Sequence, residues 1–140
     1  MTSLPDAYVD SMPTDPDLLM ELGRVAWAAA RLHAGVRDAI GRHLGASTDE
    51  PFTKTLGQAI SQLETLARLA RRTDQLDWIT DVGRPAKDKR NAVIHAVTYT
   101  ATDGRQAITT SDGSAPGRFL NPELRAVTLE LIEAHTDLPL

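Results

Sequence analysis

Residues 87–96, Lys87-Asp88-Lys89-Arg90-Asn91-Ala92-Val93-Ile94-His95-Ala96, set an imidazole five positions after a guanidinium, with lysines just upstream. An imidazole titrates near neutral pH and a guanidinium forks onto phosphate oxygens, so such a pair can move a proton and stabilise an anion on a phosphodiester. Arg90, Asn91 and His95 are therefore the candidate catalytic residues. Arg84, Lys87, Lys89 and Tyr99 are the candidate substrate-binding residues around them.

Helix geometry limits how they cooperate. At 100° per residue Asn91 and His95 lie about 40° apart and share a face, whereas Arg90 and His95 are separated by roughly 140° and about 7.5 Å of rise. One chain's Arg90 does not readily reach the phosphate that its own His95 serves. A two-fold dimer that brings two such helices together removes the difficulty.

The arrangement resembles the HEPN family (higher eukaryotes and prokaryotes nucleotide-binding), whose members carry Arg, four to six residues and then His, often with a polar residue directly after the Arg. The resemblance implies a helical bundle with the motif on the helix before the last and a composite homodimer site. It also implies metal-independent cleavage of single-stranded RNA, of the toxin or defence type, with an antitoxin or other protein as a possible partner and no cofactor. In that reading His95 moves the proton, Arg90 stabilises phosphoryl charge and Asn91 orients His95. The chain departs from the subgroup paired with a nucleotidyltransferase antitoxin, which has tyrosine two positions after the His; here that residue is Val97, and Tyr99 lies two further on. Ala96 stands where many members have glycine.

With 12 Arg and 4 His in 140 residues, an Arg that far ahead of a His arises roughly once by chance. A second match, Arg37-Asp38 with His43, is present. It falls at the end of the first long helix, where basic residues complement the macrodipole. The alternative reading of His95 is an ordinary core or interface histidine among Val93, Ile94 and Val97, in a non-catalytic binding module for a partner protein or nucleotide.

At 140 residues, 41% hydrophobic and 24% charged, the chain is long enough for one domain with a real core. It has no cysteine, which excludes disulfides and thiolate zinc sites and suits a cytoplasmic location. The opening Met-Thr-Ser-Leu-Pro-Asp has neither basic n-region nor apolar h-region. No apolar run approaches membrane-spanning length, so no membrane partner is expected. The other histidines lack ligand spacing, so no metal site is expected. A net charge of −4 argues against a constitutive grip on nucleic acid. Residues 68–90 nevertheless carry seven bases against four acids, a local basic face suited to transient RNA contact or an acidic partner.

The elements that must position these residues are mostly helical. Residues 1–13 are expected as a mobile arm, followed by a single domain over 14–140. Asp15 reads as an N-cap with Pro16 at the first helical position, and apolar residues then recur at three and four up to Ile40, with Gly45 as the stop. A second helix covers Leu56 to Ala70. Leu76 to Val82 reads as a short helical segment broken by Gly83 and Pro85, with Pro85 opening the motif helix, which then runs to Val97 or Tyr99. Asp103-Gly104 between β-prone runs predicts a two-residue hairpin turn with flanks 97–102 and 105–110. Residues 111–117 read as a loop, and Asn121 as the N-cap of a final helix. The expected fold is all-α, an antiparallel bundle of four to five helices with a small β-hairpin before the last.

Overall fold

The computed structural model describes residues 3–11, 15–46, 52–100, 102–109, 118–119 and 121–140. Among the described residues five α-helices carry the fold: α1 (Pro16–Leu44), α2 (Leu56–Leu69), α3 (Thr73–Trp78), α4 (Arg84–Ile94) and α5 (Asn121–Asp137). A small sheet, β1 (Val97–Thr100), β2 (Gln106–Thr109) and β3 (Arg118–Phe119), lies between α4 and α5 in sequence. The expected mostly helical architecture with a hairpin before the last helix is what the chain forms.

Local chemistry sets the helix ends. Asp15 caps α1 by accepting from the amides of Asp17 and Leu18, and Gly45 ends it at φ 62°, a left-handed conformation that glycine adopts without steric cost. Thr55 and Gln58 form a reciprocal capping box at the start of α2. The segment expected as an arm carries one 3₁₀ helix, Asp6–Ser11, with no buried residue.

Leu32, Val36, Ile60, Leu63, Ile79, Leu124 and Leu131 are fully buried in one shared core. The α1–α5 pair departs from the expected antiparallel order. Arg125 reaches Glu21 near both N-termini at 2.9 Å. Further along both helices a Cβ added at Gly35 would sit 2.8 Å from the His135 ring. The two helices therefore run in the same direction, and the sheet lies on the connection that returns the chain to the start of α5.

Gly83 and Pro85 do not break the helix. A π-helical turn, Ile79–Gly83, joins α3 to α4, and the Arg84 amide donates to the Ile79 carbonyl five residues back. The widened turn accommodates a proline that has no amide hydrogen to give and crowds the turn before it. Gly83 is required here, because a Cβ would lie 2.6 Å from Cζ3 of Trp78. Trp78 is itself buried and donates from Nε1 to the Ala134 carbonyl at 3.0 Å, so the irregular turn is pinned to α5.

The motif helix is shorter than its apolar pattern suggests. It ends at Ile94 with His95 as C-cap (φ −93°, ψ 8°), and the β-prone residues Val97 to Thr100 leave it to pair with β2. Thr100 pairs with Gln106, so the hairpin loop is longer than the expected two-residue turn, with Gly104 at φ 83° inside it. Expected flanking residues Ala101 and Thr110 lie outside the described residues, as does the 111–117 loop. The third strand was not foreseen; Ile108 pairs with Phe119. Asn121 is the first residue of α5 rather than the residue before it. Arg105 ties the hairpin to α1 through Asp15 and Asp17, at 3.1 and 3.2 Å. No helix among the described residues is long and apolar enough to cross a membrane.

Candidate functional site

At the end of α4 a side-chain hydrogen bond joins Arg90 to Asn91, and His95 is tied to Asn91 through the backbone alone. Arg90 Nη1 donates to Asn91 Oδ1 at 2.9 Å. The His95 amide donates to the Asn91 carbonyl at 3.0 Å, which continues the helical bonding by one residue and sets His95 one turn beyond Asn91. The His95 side chain is exposed, and its ring has no hydrogen-bond partner among the described residues. Arg90 and Asn91 are half-buried. Arg90 Nε is enclosed without a partner.

Two large apolar side chains beside the histidine are exposed as well, Ile94 at 51% and Val97 at 50%. Three cavities, between α1 and α5, along α2, and beside His33, are lined by residues other than Arg90, Asn91 and His95. On one chain His95 is exposed, while Arg90 and Asn91 are half-buried beside it in sequence.

The second Arg/His match resolves differently. His43 donates from Nε2 to Gln75 Oε1 at 2.6 Å, and Gln75, almost wholly buried, also donates to the Pro139 carbonyl at 2.9 Å. Arg37 pairs with its neighbour Asp38 at 3.0 Å. His33 donates to the Lys54 carbonyl at 2.9 Å and meets Phe52 edge-on. These histidines fasten helix ends and loops, whereas His95 is free to act on something else.

The expected substrate-binding residues divide. Arg84 is committed to Glu64 on α2 at 2.6 Å, and this guanidinium holds the Glu64 carboxyl below its ordinary value of 4.5. Its first role is to join α2 to α4. Lys87 lies 3.2 Å from Asp88 and lines an open polar groove with Thr53, Lys54, Gly57, Gln58, Ser61, Gln62 and Thr65. Lys89 is exposed and has no ion pair among the described residues. Tyr99 is half-buried on β1, its hydroxyl enclosed without a partner.

The basic stretch is less cationic than its composition suggests. Arg68 and Arg84 both pair with Glu64, Arg72 with Asp74 and Lys87 with Asp88. Lys54 and the amide and hydroxyl side chains of α2 extend the Lys87 surface. Sequence reading missed them because they form one polar helix stripe with no motif of their own. Among the described residues no group of three or more His, Asp or Glu side chains comes together to hold a metal. No protein-family model, curated protein or solved structure matches this chain.

Proposed function

We propose that the chain is a HEPN-like endoribonuclease that cleaves single-stranded RNA without a metal, through a site completed by a second copy. The observation that carries this reading is the pairing of an exposed, unengaged His95 with an Arg90–Asn91 unit one turn away. The exposed Ile94 and Val97 beside it offer apolar surface for the second copy. A two-fold axis there would supply two imidazoles and two guanidiniums, which a single helix end cannot direct at one phosphate.

In the reaction the ribose 2′-oxygen attacks phosphorus and the bond to the 5′-oxygen breaks. One His95 takes the 2′-hydroxyl proton, and its copy gives a proton to the departing 5′-oxygen. Arg90 balances the charge that builds on the phosphoryl oxygens. Asn91 holds the guanidinium through its side chain, Lys87, Lys89 and Lys54 attract the backbone, and Tyr99, four residues beyond His95, is the remaining substrate-binding candidate. The products are a 2′,3′-cyclic phosphate and a 5′-hydroxyl. A toxin or defence role, with an antitoxin as protein partner, follows from the family resemblance alone, and a cytoplasmic location is the one that the cysteine-free composition suits.

A second reading has its own observation. The exposed Ile94 and Val97 flanking an exposed His95 suit a non-catalytic module that presents this face to a partner protein or nucleotide. Incubating a mixed RNA with purified protein in excess chelator separates the two. Cleavage with cyclic-phosphate ends supports the enzyme; a folded dimer that leaves RNA intact at high concentration supports the binding module.

A further inference from the structure

Away from His95, an open cleft of about 640 Å³ runs between α1 and α5. Met20, Trp27, Ala28 and Ile132 form its apolar walls, and Arg24, Arg31 and His135 stand around them. Trp27 is 69% exposed, a costly placement for an indole in a chain with so few aromatics. Two arginines, a histidine and no carboxylate line the cleft, although the chain carries four more acids than bases. Arg24 is partly satisfied by Glu21 at 3.1 Å, whereas Arg31 has no partner among the described residues. The Thr128 hydroxyl, also in the lining, is enclosed and unpartnered.

Apolar walls, an indole face and an uncommitted guanidinium line a volume typical of small-molecule sites. We propose that this cleft binds a single-chain amphiphile with a carboxylate head. The chain lies along Met20, Trp27 and Ile132, and the head accepts from Arg31. Arg31 supplies the charge-assisted bonds that set the head-group preference. The site is independent of the proposed RNA chemistry.

Gly23 provides a clean test. A Cβ at this position meets nothing within 4 Å, so Gly23→Leu fills the cleft without pressing on the core. The experiment titrates full-length protein with dodecanoate below its micellar range and follows Trp27 fluorescence. Trp27→Phe, which retains only the buried Trp78, gives the background to be subtracted, and dodecyltrimethylammonium serves as the cationic control. A saturable blue shift of Trp27 emission by dodecanoate alone is expected, weakened about ten-fold or more in affinity by Arg31→Gln and lost in Gly23→Leu with thermal stability maintained. Equal response to the cation, no saturable response, or indifference to both substitutions overturns the proposal. So does a Gly23→Leu protein that changes from dimer to monomer by light scattering, because the occupant is then a second copy.

Discussion

The His95 amide donates to the Asn91 carbonyl at 3.0 Å, while the Asn91 side chain accepts from Arg90 at 2.9 Å. Asn91 thus links the guanidinium and the imidazole-bearing residue through two different atoms. Only the side-chain link is removable by substitution.

Asn91→Ala should leave the His95 backbone in place and release the Arg90 guanidinium. We expect RNA cleavage to slow about ten-fold or more with little change in KM, since the loss falls on charge stabilisation in the transition state. Steady-state kinetics on a short RNA, with circular dichroism to verify folding, checks this. An unchanged kcat would remove Asn91 from the site.

His43→Ala should do the reverse. It strips Gln75 Oε1 of its partner in a buried setting, at a cost of about 1–3 kcal/mol. Chemical denaturation should show the loss, and cleavage per folded molecule should stay at the wild-type level. Reduced cleavage in a fully folded His43→Ala protein would return Arg37 and His43 to consideration.

Two glycines should respond with opposite sign. Gly83→Ala forces a methyl against Trp78, and such overpacking costs about 1–3 kcal/mol. Gly23→Ala places a methyl in open space on an exposed helix face, and helix propensity favours it by about 0.5–1 kcal/mol. Urea midpoints of the two variants against wild type decide the matter.

Acid should loosen the links between elements. Arg105 lowers the Asp15 carboxyl from 3.8, Arg84 lowers Glu64 from 4.5, and Arg72 lowers Asp74 from 3.8. A carboxylate depressed in the folded state adds stability that is full above its unfolded value and is lost as pH falls toward the folded one. The melting temperature should therefore decline as pH drops below about 4.5, and Glu64→Gln should flatten part of that decline. All three pairs are solvent-accessible, so each contribution should shrink in high salt.

Much of the scaffold was legible because its signals are local. Asp15, Pro16 and Gly45 bound α1 by capping chemistry, and the three-and-four spacing of apolar residues located α1, α2 and α5. The continuous α3–α4 unit was not legible. A π turn depends on Trp78 lying across Gly83 and bonding to Ala134, and neither contact leaves a mark in periodicity. Val97 and Tyr99 could continue a helix or start a strand, and pairing with β2 decides for the strand. For the site, residue types and spacing pointed to Arg90, Asn91 and His95 but could not separate them from Arg37 and His43. Gln75, distant in sequence, engages His43 and leaves His95 free. The fate of Arg84 was equally hidden, since Glu64 lies a helix away.

The most direct test compares RNA cleavage by wild type, His95→Ala and Arg90→Ala in chelator, with product ends identified. The account predicts 2′,3′-cyclic phosphate and 5′-hydroxyl ends from wild type, and a loss of about a hundred-fold or more in each variant. Wild-type protein that is folded and dimeric yet leaves RNA intact would contradict it, as would cleavage that survives both substitutions.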